Sequence, residues 1–258
     1  MKICVAMGGV SAERDVSIKT GKAVFDACKN LGFKVNQVII NNDYKLHLKD
    51  FKNCDIVFNA LHGPIGEDGT IQQWFEKNNI AYTGSGPNSS AVCMDKNSSK
   101  KIIRDLGFNT PEWDLVGQKI NYNAIDYPCI VKPNSQGSTY GLSIVNNADE
   151  LGDAVNYAKK YDSRVLIEKY IYGREITVGI LAGKALPIVE IKPQNDLYDY
   201  ECKYKPGMSS YFCPAKFNDE ITSRIKLDSE SIFKALDCKD YGRIDYIIDE
   251  NMNYFFLK

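Results

Sequence analysis

Ile3 to Met7 is an unbroken apolar run that stops at Gly8-Gly9 and leads straight into apolar residues at helical spacing; no other feature restricts the fold as much. A short run with apolar residues on both faces fits a strand buried on both sides, as in a parallel sheet covered by helices. Val16, Thr20, Ala23, Val24, Ala27, Cys28 and Leu31 then recur at three- and four-residue steps, and Gly32 supplies a left-handed stop. Phe33 to Ile40 resumes as a strand, and Asp55 to Leu61 forms another that ends in His62-Gly63-Pro64. Strand, helix, strand is the order of a parallel α/β layer. The pattern further predicts a helix from Thr70 to Asn78, a strand at Ala81-Tyr82-Thr83, and a helix from Met94 to Leu106 closed by Gly107. A boundary near residue 90 separates a first domain, residues 1–90, from the remainder of the chain.

Beyond that boundary the pattern changes. Tyr127 to Val131 and Leu142 to Val145 flank a polar, glycine-bearing loop, which predicts a hairpin. Asn147 can cap a helix from Ala148 to Lys160, and Val165 to Tyr170 is the next strand, giving an α+β subdomain over residues 91–175. A third, residues 176–258, opens on a hairpin in which Ile176 to Leu181 and Leu186 to Ile191 flank Ala182-Gly183-Lys184. A long polar loop from Lys192 to Lys216, a helix from Glu220 to Leu236 and a final hairpin, Ile244 to Ile248 with Tyr254 to Leu257, complete it.

The chain's 32 basic and 33 acidic side chains nearly cancel, so no delocalised nucleic-acid surface is expected and an anionic ligand must be met by locally placed lysines. Its eight cysteines form no CxxC pair and mostly sit in apolar runs, which predicts reduced, buried thiols in a cytoplasmic protein. Neither a signal peptide nor a membrane span is predicted.

Several polar groups interrupt apolar strands. Lys132 precedes the loop Gln136-Gly137-Ser138-Thr139-Tyr140-Gly141, whose backbone N–H groups could close over phosphate oxygens while the ammonium neutralises charge; taken alone, such a glycine-bearing hairpin is more often just a turn. Neither a Walker A pattern nor a GxGxxG opening a helix is present, which disfavours P-loop and Rossmann readings. Glu168 and Lys169 end a buried-looking run and Glu175 precedes the next strand. Such charges need partners, and adenosine hydroxyl and amine groups are candidates, although Lys169 alone fits a strand emerging into water. Arg243 and Asp245 point to one side of an apolar strand, as a structural salt bridge or as a phosphate-binding arginine beside a magnesium carboxylate. Glu13 sits where strand joins helix and free N–H groups favour an anion or a capping acid, so it could merely cap; His62 lies at the carboxyl end of a parallel strand, where open α/β sheets bind ligands, although a lone histidine is more often structural than catalytic.

Together these segments resemble the D-alanine–D-alanine ligase family. The matching runs, in order, are GGVSAERDVS from Gly8, ALHGPIGEDG from Ala60, YTGSG from Tyr82, Met94-Asp95-Lys96, VKPNSQGSTYG from Val131, LIEK from Leu166, YDYECKY from Tyr198, YFCPA from Tyr211 and GRID from Gly242. The resemblance implies an ATP-grasp fold of three subdomains, α/β and α+β, and an ATP-dependent ligation of two D-alanines through an acyl phosphate, for peptidoglycan precursors. It further implies ATP and Mg²⁺ (or Mn²⁺) as cofactors, D-alanine as substrate, a cytoplasmic location and a homodimer.

By the same resemblance, Lys96, Lys132, Gly137, Ser138 and Thr139 meet the phosphates, while Glu168, Lys169, Ile171, Glu175 and Lys203 complete the ATP site. Arg243 stabilises the transferring phosphoryl group, Asp245 holds metal, and Glu13 and His62 meet the first D-alanine. Ser138 and Tyr204 join Glu13 in a closing network, with the loop around Tyr204 as a lid.

One departure stands out. The family's final strand brings a glutamate and then an asparagine to the metal, and Lys258 stands at the glutamate's place, which predicts a chain shortened relative to the family. Two alternative readings stay open: a nucleotide-binding protein with impaired turnover, and a ligase of another amino-acid pair.

Overall fold

The computed structural model describes residues 1–117, 126–194, 205 and 207–258. Two compact units emerge, one of residues 1–92 with 237–240, the other of residues 93–236 with 241–258.

In the first unit, β1 (Lys2–Gly8) lies between β2 (Lys34–Ile40) and β3 (Ile56–Asn59), all parallel. Because side chains alternate along a strand, Cys4 and Ala6 enter a core with Phe51, Ile71 and Phe75, while Ile3, Val5 and Met7 pack on the opposite face with Val24, Phe25 and Cys28. The latter three lie on α1 (Arg14–Asn30), and a Cβ on its Gly21 would come within 2.6 Å of Met7 Cβ. Only glycine lets helix and strand approach so closely. Gly32 ends the helix with φ +80, as expected. A 3₁₀ turn (Tyr44–His47), α2 (Leu48–Lys52) and α3 (Thr70–Lys77) complete the layer. The strand expected at 81–83 is reduced to one bridge between Val57 and Tyr82. The helix expected from Met94 to Leu106 is α5 (Lys96–Asp105), which Asp95 caps, and it is preceded by α4 (Pro87–Met94), where no helix was expected.

The second unit holds two antiparallel sheets. The first runs β4 (Trp113–Leu115), β7 (Val165–Lys169), β5 (Cys129–Pro133), β6 (Ser143–Val145). Cys129, Val131, Val165 and Ile167 face α6 (Ala148–Lys159), which Asn147 caps through Asp149 and Glu150 N–H. Alternation therefore turns Ile130, Lys132, Leu166 and Glu168 the other way. The second sheet runs β11 (Ser209–Phe212), β10 (Val189–Pro193), β8 (Arg174–Leu181), β12 (Tyr241–Ile248), β13 (Tyr254–Phe256), with β9 (Lys184–Ala185) pairing β8. α7 (Asp219–Ala235) covers it, and the buried Tyr246 hydroxyl meets Ser229 Oγ at 2.9 Å. β11 falls within the long polar loop expected from Lys192 to Lys216, and β4 in a stretch for which no element was expected.

The cysteines depart from expectation in part. Cys4 and Cys129 are buried, burial pushing the Cys129 thiol up to about 11, but Cys213 is exposed. Among the described residues no helix is long and apolar enough to cross a membrane.

Candidate active site

A cleft of about 530 Å³ opens in the second unit, within the size range of small-ligand sites. Its wall includes Lys96, Lys132, Gly137, Ser138, Thr139, Glu168, Lys169, Ile171, Glu175, Arg243 and Asp245. Thus every described residue assigned to ATP from the sequence lies on one surface, together with the expected phosphoryl-binding arginine and its aspartate. Lys203 and Tyr204 lie outside the described residues. Glu13 and His62 belong to the first unit.

The register of β5 and β7 explains the deepest part of the cleft. Ile130 pairs with Glu168 and Lys132 with Leu166, so Lys132 and Glu168 are diagonal neighbours on one face, within reach of a long side chain. Lys132 Nζ donates to Glu168 Oε1 at 2.8 Å. Glu168 Oε2 meets a second ammonium, Lys100 Nζ, at 2.7 Å. Burial would raise the Glu168 carboxyl, but the two ammonium groups outweigh it and hold Glu168 below the usual carboxylate range. Lys100 is pushed down to about 8, because burial outweighs its share of a carboxylate that Lys132 also claims. Trp113 and Thr110 enclose it, Lys100 Nζ lying 5.1 Å from the indole centroid and donating to Thr110 Oγ1, which donates to Phe256 O.

Sequence reasoning missed Lys100, whose place beside Lys101 in a polar run looks solvated. The available signal was its position one helical turn from Lys96, and the need of Glu168 for a cation.

Asp95 sets the lysines up. Its side chain accepts from Ser98 N–H at 2.7 Å and pairs with Arg164, starting α5 with Lys96 as its first residue. Burial would raise the Asp95 carboxyl, yet these bonds hold it below its ordinary range. Lys96 Nζ donates to Gln136 O at 2.7 Å and Asn134 O at 3.2 Å, tying helix to phosphate loop. Its ammonium lies well below the ordinary lysine range through burial first, then through Lys258 and Lys132.

The loop itself is strained. Ser138 (φ 49) and Thr139 (φ 63) both occupy the left-handed region, and Tyr140 N–H donates to Gly137 O at 3.3 Å. This is a mirror-image hairpin turn built without glycine at its centre, and such strain concentrates at ligand clamps. Gly141, just past Tyr140, has φ 72, and a Cβ there would come within 2.7 Å of both Pro133 and Tyr161.

On the other sheet, Arg243 and Asp245 share a face of β12, and the guanidinium grips the carboxylate in a fork, Nε to Oδ1 and Nη2 to Oδ2, both at 2.9 Å. Thr177, directly opposite Asp245 on β8, donates to Oδ1 at 2.7 Å. Opposite Arg243 stands Gly179, where a Cβ would come within 3.3 Å of Leu186 Cδ1. Asp245 is thus committed to protein donors. Among the described residues no three or more His, Cys, Asp or Glu side chains are grouped so as to hold a metal ion, and Lys258 occupies the same wall. These residues do not fit a divalent cation, which asks for several oxygen ligands.

In the first unit, Glu13 is buried at the N-cap position of α1, but its side chain does not cap. Its N–H donates to Ser11 Oγ at 3.2 Å, and Ser11 Oγ donates to His62 O at 2.7 Å. His62 is held from both ring nitrogens, Nε2 to Thr20 Oγ1 at 3.2 Å and Nδ1 to Glu67 Oε1 at 3.3 Å.

Comparison with known proteins assigns the chain to a family. Residues 105–258 match the family model of the D-ala D-ala ligase C-terminus, and residues 45–85 that of the D-ala D-ala ligase N-terminus. The D-alanine–D-alanine ligase of Aquifex aeolicus is 42% identical, covering 100% of this chain and 89% of its own. Among solved structures, the Bacillus anthracis D-alanine–D-alanine ligase complexed with ATP superposes with a TM-score of 0.87 at 34% identity, over 100% of this chain and 85% of that one. The VanG D-Ala:D-Ser ligase of Enterococcus faecalis gives 0.83 at 27%, over 99% and 88%. On these matches and the ATP-grasp architecture they share with it, the chain belongs to the D-alanine–D-alanine ligase family.

Proposed function

We propose that this chain joins two D-alanine molecules at the expense of ATP, with the cleft of the second unit as its nucleotide site. The observation that carries the proposal is the convergence of the described ATP-site residues on that one surface. In the proposed reaction the carboxylate of the first D-alanine takes the terminal phosphoryl group of ATP, forming an acyl phosphate and ADP. The amine of the second attacks the acyl carbon, the C–N bond forms, and phosphate leaves. Lys96 and Lys132 neutralise phosphate charge, the Gly137–Thr139 turn covers it, and Glu168, Lys169, Ile171 and Glu175 position adenosine. Arg243 stabilises charge on the transferring group and on the tetrahedral oxyanion. Glu13 and His62, in the first unit, are the groups proposed for the first D-alanine. The reading makes the enzyme a cytoplasmic homodimer supplying peptidoglycan precursors, on the strength of family resemblance.

A second reading, nucleotide binding with impaired turnover, draws support from Asp245, which Arg243 and Thr177 already hold. Phosphate release from ATP in the presence of Mg²⁺, measured with D-alanine, D-serine, D-lactate or L-alanine, separates the readings. Release that depends on D-alanine is the expected result. Release with L-alanine alone would reject the dipeptide assignment, and thermal stabilisation by ATP without release with any acceptor would establish the second reading.

A further inference from the structure

We infer that Lys100 is a positioning residue: it keeps the buried Glu168 carboxylate neutralised from behind, so that Lys132 can turn its ammonium to the phosphates of a nucleotide in the cleft. This inference rests on the cleft being the nucleotide site, which both readings above share.

The two lysines are not equivalent. Both ammonium groups lie on one carboxylate, Lys132 Nζ at 2.8 Å and Lys100 Nζ at 2.7 Å. Lys132 lines the cleft together with the Gly137–Thr139 turn, whereas the Lys100 side chain is wholly buried and does not line it. The indole ring of Trp113, Thr110 Oγ1 and Glu168 itself close in the Lys100 ammonium. Only Lys132 can therefore meet a ligand, and only Lys100 can stay with Glu168 while it does.

Charge explains why there are two. One lysine would neutralise Glu168, and a second buried cation adds a desolvation cost that a purely structural cluster does not need. Lys100, at about 8, still carries its proton at neutral pH, so two ammonium groups face one carboxylate and the cluster holds a positive charge in excess. A phosphate that drew Lys132 away would, without Lys100, strip a buried carboxylate of its counter-ion, and such an uncompensated charge is strongly unfavourable. With Lys100 in place the excess charge goes to the phosphate and Glu168 keeps a partner.

Calorimetric titration of the 258-residue chain with ATP and, separately, with adenosine tests this, because the role concerns the phosphates and a merely structural one would weaken both ligands alike. Lys100→Met should lower the ratio of ATP affinity to adenosine affinity about tenfold, the scale of one charge-assisted hydrogen bond. Adding Glu168→Gln to it should restore the ratio, since no carboxylate then holds Lys132 back. A ratio that Lys100→Met leaves unchanged, or that the double variant does not restore, overturns the inference. Should Lys100→Met fail to fold, the unaltered chain crystallised with a non-hydrolysable ATP analogue decides: Lys132 Nζ is expected on a phosphate oxygen with Lys100 Nζ still bonded to Glu168, and Lys132 held by Glu168 away from the phosphates overturns the inference. Failure of the unaltered chain to bind either ATP or adenosine would overturn the nucleotide site itself.

Discussion

The two-lysine clasp on Glu168 is where single residues matter most. Breaking a buried ion pair leaves the surviving charge under-compensated, and Lys100→Met should destabilise the fold by about 3 kcal/mol, the low end for such a break because Lys132 still faces Glu168. Adding Glu168→Gln should return part of that loss, and urea unfolding of the single and double variants measures it. The pH dependence has a definite sign. Lys100 ionises at about 8 in the folded chain against 10.5 as reference, so between those values the unfolded state binds more protons and stability rises with pH. Lys100→Met lacks this gain, so its deficit should widen from pH 7 to pH 9.5 by on the order of 2 kcal/mol. A deficit that narrows over that range would show that the ammonium is not depressed. Lys132 and Glu168 were legible in the sequence because they interrupt apolar strands. Lys100 was not, because only tertiary packing buries the face of α5 that carries Lys96, Asn97, Ser99, Lys100 and Ile103.

At the scale of elements, the start of α5 governs the site. Asp95 separates α4 from α5, which makes Lys96 the first residue of the second helix with Lys100 one turn on. Asp95→Ala removes the cap and should cost about 1 kcal/mol, whereas Asp95→Asn keeps a capping oxygen and loses only the half-exposed Arg164 pair, about 0.5 kcal/mol or less. Guanidinium melts resolve the two, and equal losses would count against the capping role. ATP affinity should fall more for the alanine variant, since it frays the turn that carries Lys96. Longer elements were readable from the sequence: β1, α1, α6, α7 and the β5–β6 hairpin obey periodicity and caps. β4 and β11 were not, because three or four residues carry too little pattern and gain their order from pairing with β7 and β10. The tight turn at Ser138-Thr139 was also hidden, as a hydroxyl pair gives no warning of left-handed backbone.

For the whole molecule, periodicity yields an α/β layer and then hairpins, and it took the ordered family motifs to assign these to a ligase. The two compact units each carry their own core, the first around Phe51, Ile71 and Phe75, the second around Val131, Val155 and Ile167. Ligands should therefore register in different segments of a hydrogen-exchange map. A ligand at one hundred times its dissociation constant adds about 2.7 kcal/mol to the stability of whatever it binds. ATP alone should slow exchange in β5, β7 and β12, whose residues line the cleft. The segments holding Glu13 and His62 should respond only once D-alanine is added, because they carry the groups proposed for the amino acid and none for the nucleotide. Equal protection of both units by ATP alone would contradict this division of labour, and protection of 8–17 and 60–69 by D-alanine without ATP would show that the first substrate binds independently of the cleft.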